Sequence, residues 1–391
     1  MTPSSPGLGL LSCGRPLQRH VKSVRLSASL PRPSSIRHAS SVASPPPKRR
    51  TWLRITVVTV AAAAIGAYIR SQQDSKRSAT LNPFKFAHYE LVSREPVSST
   101  CSIFTLRPTK PGQKNSEVYE AAWRTGVWSV TFKQPQLQIG RDYTPLPPIQ
   151  RAPGDAEGQS EEDESLRFLI RMDPRGEMSR YLHGLSLGTK IEIRGPQIEC
   201  EIPSDVRDIL FIAGGTGIAP ALQSAYTLLS RTDDNNKPRI HILWASRRRE
   251  DCLGGLSDSK TDTSTASWWS KLFGSRSSSS QSVTAPKASV TGAIVKELEA
   301  LKSQYPGQIT VDYFVDEEKT TISKQSILDF TNPTSPSDST RGGKMILVSG
   351  PEGFISYMAG PKVWAQGMEL QGPLGGIIKE LDLKGWNVWK L

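Results

Sequence analysis

The first 73 residues of this 391-residue chain contain neither Asp nor Glu; the first acid is Asp74. Nine cations (Arg15, Arg19, Lys22, Arg25, Arg32, Arg37, Lys48, Arg49 and Arg50) stand unopposed in the first 50 residues, so most of the formal charge of +12 sits there. The remainder is nearly balanced, and its charge does not argue for a nucleic-acid surface. Cysteine is scarce: Cys13, Cys101, Cys200 and Cys252, with no C-x-x-C pair. That spacing excludes a zinc ribbon or a clustered iron–sulfur ligand set, and no metal is expected. A single disulfide among the later three stays open. No Ser–His or carboxylate pair stands out as an acid–base unit, and the G-x-G-x-x-G dinucleotide fingerprint is missing.

An Arg- and Ser-rich, acid-free start without a long apolar core has the composition of a mitochondrial transit peptide, placed at 1–40. The apolar run Trp52–Ile69, interrupted by Arg54, has the length of a membrane-spanning helix, with Trp52 and Tyr68 at its two ends. Cations are denser on its N-terminal side, which puts the N-terminus in the matrix and the body in the intermembrane space.

From Phe84 the pattern changes to short stretches of alternating apolar residues. "FAHYELVSREPVSSTCSIFTLRP" reads as two strands about Glu95-Pro96. "GVWSVTFKQPQLQIG" reads as another pair, and "LRFLIRM" and "TKIEIRGP" as one each, the last ending at Gly195-Pro196. Strands at this spacing predict a small antiparallel barrel over 84–203. Residues 151–165 are acidic and lack large apolar side chains, as a solvated insertion does. After Pro203, apolar strands alternate with helices, predicting a parallel α/β domain over 204–391. Within it, the Ser/Thr-rich stretch 257–289 reads as a disordered insertion.

Two Gly-rich turns close apolar strands of this second domain. "AGGTGIAP" opens a helix: Gly214, Gly215 and Gly217 permit close backbone approach, Thr216 lies between them, and Pro220 suits the first turn. "VSGPEGF" places Ser349, Gly350 and Pro351 at another strand end, where parallel sheets bind ligands. A tight turn with packing glycines is the alternative for either alone. Upstream, Gly176, Glu177, Met178 and Ser179 start a short helix that could take a pyrophosphate, or Ser179 could be a plain cap. "RDYTPLPP", Arg141–Pro148, is either a Pro-stiffened loop or a prearranged cation, ring and hydroxyl on a rigid backbone. "SRRRED" offers Ser246, Arg247, Arg248 and Arg249 to a 2′-phosphate, or the arginines to solvent.

The order Arg-x-Tyr-Thr, Gly-x-x-Ser, Gly-Gly-Thr-Gly-x-x-Pro, Gly-Pro resembles the ferredoxin–NADP reductase superfamily, and within it the NADH–cytochrome b5 reductase branch, over about 84–391. The resemblance implies an FAD-binding antiparallel barrel followed by a nicotinamide-dinucleotide α/β domain, with FAD and NADH or NADPH as cofactors. It implies Arg141 on the flavin pyrophosphate, Tyr143 on the flavin ring, and Thr144 near the reactive edge with Pro145 behind it. It assigns Gly176–Ser179 to the second flavin phosphate loop, Gly214–Pro220 to the nicotinamide nucleotide's pyrophosphate, and Gly350-Pro351 to the nicotinamide. Where that family has Cys before Gly-Pro, this chain has Ser349, and slower hydride transfer is expected.

The C-terminal "LKGWNVWKL", with the transit-like start and single anchor, resembles a fungal mitochondrial branch of the superfamily. This implies an inner-membrane flavoprotein that passes electrons to haem as haem is attached to cytochrome c, with the haem lyase and cytochrome c as partners and the lipid bilayer contacted through one helix. A cytochrome b5 reductase-like electron-transfer enzyme is the second expectation. A flavin-binding scaffold for cytochrome c import, with little turnover, is the third.

Overall fold

In a computed structural model, residues 56–66, 68, 80–109, 115–149, 164–232, 237–259, 291–332 and 342–391 are described. The transit peptide expected at 1–40 lies outside them, as do 151–163 and 260–289 of the two expected insertions. Residues 56–66 form helix α1. The anchor expected at 52–69 is thus described only at 56–66 and 68, and among the described residues no helix is long and apolar enough to cross a membrane.

The alternation read from the sequence builds the first sheet. Strands β1 (Ala87–Pro96), β2 (Cys101–Pro108), β3 (Gly126–Gln134), β4 (Ile139–Tyr143), β5 (Pro145–Leu146), β6 (Leu166–Arg171) and β7 (Lys190–Glu201) form one antiparallel sheet in the order β4-β3-β7-β1-β2-β6-β5. Its outermost strands, β4 and β5, are consecutive in the chain. Tyr143 pairs with Val130 on β3 and Pro145 with Phe168 on β6, so the single residue Thr144 carries the chain from one edge to the other. The sheet therefore curls into a barrel whose seam is Thr144. Tyr89, Leu91, Phe104, Leu106, Trp128, Val130, Phe132, Phe168, Ile191 and Ile193 fill its interior. Strand β7 does not end at Gly195-Pro196 as expected. It continues to Glu201 because its pairing with β3 shifts register there and resumes beyond. Helix α2 (Asn115–Thr125), not foreseen from the sequence pattern, stacks Tyr119 on Trp128 and sets Trp123 edge-on to it. Helix α3 (Glu177–His183) follows β6 and packs beside β4.

The second sheet is parallel. It comprises β8 (Val206–Gly214), β9 (Arg239–Ser246), β10 (Ile309–Val315), β11 (Gly343–Ser349) and β14 (Asn387–Lys390), in the order β10-β9-β8-β11-β14. Strand order reverses between β8 and β11, which makes their carboxyl ends the switch point. The last strand, β14, lay hidden in "WNVWKL". Helices α5 (Ala293–Gln304) and α6 (Lys324–Thr331) follow in sequence, then α7 (Glu352–Ala359), the hairpin β12 (Val363–Ala365)–β13 (Met368–Leu370), and α8 (Gly376–Leu381). A capping box between Ser323 and Ser326 starts α6.

Helix α4 (Ile218–Leu229) differs from its pattern. The spacing of Leu222, Ala225, Leu228 and Leu229 marks a single apolar face, yet every residue but Tyr226 is buried. The helix lies between the parallel sheet and the barrel, so it has no solvent face. One apolar core joins Ile218, Leu222, Phe211 and Trp244 to Cys101, Ile103, Val127, Leu146 and Leu169 of the barrel. Burying each such Leu or Ile contributes about 1.5–3 kcal/mol. Ion pairs frame the junction: Arg167 of β6 grips Glu297 of α5 through two hydrogen bonds, 2.7 and 3.2 Å, and Arg171 meets Asp251 at 2.7 Å.

The expected insertion 257–289 starts too early. Residues 257–259 run along the free edge of β10: Tyr313 N–H donates to Ser257 Oγ (2.9 Å) and Val311 N–H to Asp258 Oδ2 (2.8 Å). An edge strand presents unpaired N–H groups, and this segment satisfies them. Ser259 donates from Oγ to Asp312 Oδ2 at 2.6 Å and from its backbone to Oδ1 at 3.0 Å, while His241 Nε2 lies 3.5 Å from the same carboxylate. Burial raises the Asp312 pKa, but the hydrogen bonds from His241 and Ser259 outweigh it and hold the carboxyl down at about 2, from an ordinary 3.8. The stabilisation is therefore complete above the unfolded value and disappears as pH falls through the folded one. Asp312→Asn is expected to cost about 2 kcal/mol at pH 7. In urea denaturation, the gap from wild type should close between pH 4 and pH 2.

Candidate functional site

A cleft of about 1040 Å³ opens at the carboxyl ends of the parallel strands, against one lip of the barrel. Gly214, Gly215 and Thr216 line it from the turn after β8, Ser246, Arg247 and Arg248 from the end of β9, Pro351 and Phe354 from the end of β11, and Thr100, Arg171 and Met172 from the barrel.

The two Gly-rich turns meet at the cleft floor. A Cβ on Gly217 would lie 2.4 Å from the Ser349 carbonyl oxygen, and one on Gly350 would lie 3.0 Å from Gly214 Cα. These glycines are required by backbone-on-backbone contact. Trp244 Nε1 donates to the Gly215 carbonyl at 3.0 Å and fixes the first turn. Helix α4 begins from this turn and α7 begins at Pro351, so two helix N-termini point toward one place. Their dipoles favour an anion and Arg247 adds positive charge, while Arg171 and Arg248 reach the cleft already paired with Asp251 and Glu250. Such a site suits a phosphate ester. Ser349 is buried at the end of β11, in register with Ala213, which in turn pairs with Trp244. It shares their sheet face, the one turned to α4 and the barrel.

The arginines of "SRRRED" are not equivalent. Arg249 is taken up by Glu318 (Nε to Oε1, 2.6 Å), and Arg248 Nη1 lies 3.4 Å from Glu250, while Arg247 and Arg248 face the cleft. Pro220, the third residue of α4, is buried away from the cleft, and its carbonyl accepts from Ser224.

Arg141, Tyr143 and Thr144 do not line this cleft. They occupy the edge of β4 and the seam, beside α3 and the Gly176–Ser179 turn. Arg141 is exposed and donates to the Gly140 carbonyl at 2.9 Å; among the described residues no carboxylate pairs with it. Tyr143 is half-buried with its ring edge-on to Phe132, centroids 5.0 Å apart. Burial, partly offset by Arg141, pushes its hydroxyl up to about 12, so it stays a neutral donor. Ser179 does not present its hydroxyl to the surface. It accepts from Asp173 N–H (3.1 Å) and donates to the Gly176 carbonyl (3.2 Å), which shapes the turn. The first N–H groups of α3, at Glu177, Met178 and Ser179, have no intrahelical acceptor. An unpaired cation, free N–H groups, a braced ring and a seam hydroxyl fit a flavin dinucleotide laid along this edge. Sequence reading missed Arg171, Thr100 and Phe354, which reach the cleft only through tertiary packing.

Residues 88–202 match the family model of the oxidoreductase FAD-binding domain. The barrel thus carries an FAD-binding domain of the oxidoreductase class. Over 389 aligned residues, the chain is 26% identical to the cytochrome c mitochondrial import factor CYC2 of Saccharomyces cerevisiae, covering 86% of this chain and 91% of that protein. It is 30% identical to NADH-cytochrome b5 reductase 1 of Candida albicans over 201 residues, 51% of this chain and 61% of that protein. Among solved structures, it aligns with the cytochrome b5 reductase domain of Ulva prolifera nitrate reductase at a TM-score of 0.46 and 19% identity, over 71% of this chain and 91% of that one.

Two variants test the geometry. Gly217→Ala should separate the two turns, cost about 2–3 kcal/mol in thermal denaturation, and weaken dinucleotide binding measured by calorimetry. Arg141→Ala or Tyr143→Ala should lower FAD retention on gel filtration far more than Ser280→Ala does; equal retention in all three removes the β4 edge as the flavin site.

Proposed function

We propose that the chain is an FAD-dependent NAD(P)H oxidoreductase of the mitochondrial inner membrane, held there through the segment 52–69 with its body in the intermembrane space. In this reading it passes electrons to haem as haem is attached to cytochrome c. The observation that carries the redox reading is the convergence of two helix N-termini and two glycine turns at the switch point, against a barrel that matches an FAD-binding oxidoreductase domain. The similarity to the cytochrome c import factor across most of both chains supports the cytochrome c assignment.

The residues divide the work. Arg141 and the α3 N–H groups hold the flavin pyrophosphate, and Tyr143 packs on the ring. The turns 214–217 and 349–351, with Arg171 and Arg247, hold the nicotinamide dinucleotide. Ser349, buried at the end of β11, would lie beneath the turn that holds the nicotinamide. FAD, when bound, supplies the conversion from a two-electron hydride donor to a one-electron acceptor. The protein's part is orientation and exclusion of water.

The match to a cytochrome b5 reductase supports a second reading, in which the acceptor is a cytochrome b5. Stopped-flow absorbance on the full chain, with NADH and with NADPH, separates the readings. Flavin reduction followed by electron transfer to haem is the expected result. Transfer to cytochrome b5 but not to haem selects the second reading. Bound FAD that neither nucleotide reduces selects a flavin-binding scaffold, and absence of FAD sinks every flavoprotein reading. A body that stays protease-protected in mitoplasts contradicts the proposed orientation.

A further inference from the structure

We infer that Gln223 is a positioning residue for the barrel seam: from the middle of α4 it holds the backbone of Pro145, next to Thr144, and of Trp128 on β3, so that the dinucleotide turn and the flavin edge are set by one helix. The flavin half of this inference rests on the proposed function; the structural half does not.

Gln223 is fully buried. Its Oε1 accepts the Trp128 backbone N–H at 2.8 Å, and its Nε2 donates to the Trp128 carbonyl at 3.1 Å and to the Pro145 carbonyl at 2.8 Å. Trp128 lies on β3, the neighbour of β4, at a point where the β3–β7 ladder shifts register. Pro145 opens β5, a strand of two residues. Strand β5 leaves the seam and β3 pairs with β4, which enters it, and among the described residues no ladder joins β3 to β5. A side-chain amide carries the same donor and acceptor types as a peptide unit, so Gln223 acts as the missing rung. The residue it holds is adjacent to Thr144. Five residues before Gln223, α4 begins from the Gly215–Gly217 turn. A helix is rigid over this distance, so the turn and the seam keep one spacing.

Thr227, one turn further along α4, supplies the comparison. It too is buried and donates across the junction, to the Trp123 carbonyl at 2.7 Å, but it touches α2 and not the seam. Gln223→Met keeps the volume and removes all three bonds. Gln223→Glu loses the donations and turns an acceptor toward two carbonyls. Thr227→Val removes the neighbouring bond.

The test is hydrogen–deuterium exchange on the full chain without added FAD, following the amides of Trp128, which donates to Gln223 directly, and of Thr144 and Leu146 at the seam, together with the flavin absorbance spectrum and midpoint potential after FAD is added. Exchange at these amides should rise about tenfold in Gln223→Met, the equivalent of one lost hydrogen bond, and more in Gln223→Glu. Thr227→Val should leave them at wild-type rates once its global stability is allowed for. The flavin spectrum and potential should shift in the Gln223 variants alone. Equal exchange in Gln223→Met and Thr227→Val overturns the inference, as does faster exchange with an unmoved flavin spectrum. If Gln223→Glu does not fold, the comparison of Met with Val decides. Failure of the wild type to bind FAD sinks the flavoprotein reading, while the exchange result still decides the structural half.

Discussion

A buried amide must satisfy its hydrogen bonds inside the protein or forfeit them. Gln223 satisfies its own with the backbone of β3 and β5, and this ties α4 to the barrel beside the seam. Helix α4 must lie flat against the barrel wall for the amide to reach, so it is buried all round. Its N-terminus is then held at the switch point, and the glycine turn before it faces the barrel lip. Thr227 and the ion pairs at Glu297 and Asp251 reinforce the junction at other points. The apolar core shared by the two sheets supplies the bulk of the association energy; the amide supplies its register.

This accounts for the division of the candidate residues into two groups. The turns at 214–217 and 349–351 sit in the cleft, and Arg141–Thr144 sit on the barrel edge with the α3 turn. One group has the features of a phosphate site built from helix ends and arginines. The other has a cation, free amides and an aromatic face.

Much of the barrel was legible because period-two alternation survives in single strands: β1, β2, β3 and β6 all show it. The glycine turns were legible because only glycine tolerates the contact that Gly217 makes with Ser349. What escaped depends on partners distant in sequence. The pattern of α4 shows one apolar stripe, since its small residues, Ala219, Ala221 and Ser224, look neutral until the barrel covers them. Strand β7 was cut at Gly195-Pro196 because a Gly-Pro pair reads as a turn, and only the shifted pairing with β3 reveals a continuous strand. Strand β14 is four residues whose pattern carries no strand signal, and it becomes a strand through pairing with β11. Residues 257–259 looked like the start of a polar insertion, yet their polarity is what the free edge of β10 uses. Arg171 carried no motif, and its place in the cleft depends on Asp251, eighty residues later.

The one-residue seam also limits how a chain of this kind can change over time. Tyr143 is locked to Val130 and Pro145 to Phe168, with only Thr144 between. A residue inserted or deleted there would slip one wall of the barrel by a pleat against the other and turn its inward side chains outward. Substitution remains open at this position, but length variation does not. Insertions in descendants of this sequence must accumulate at connections where the sheet is not closing on itself.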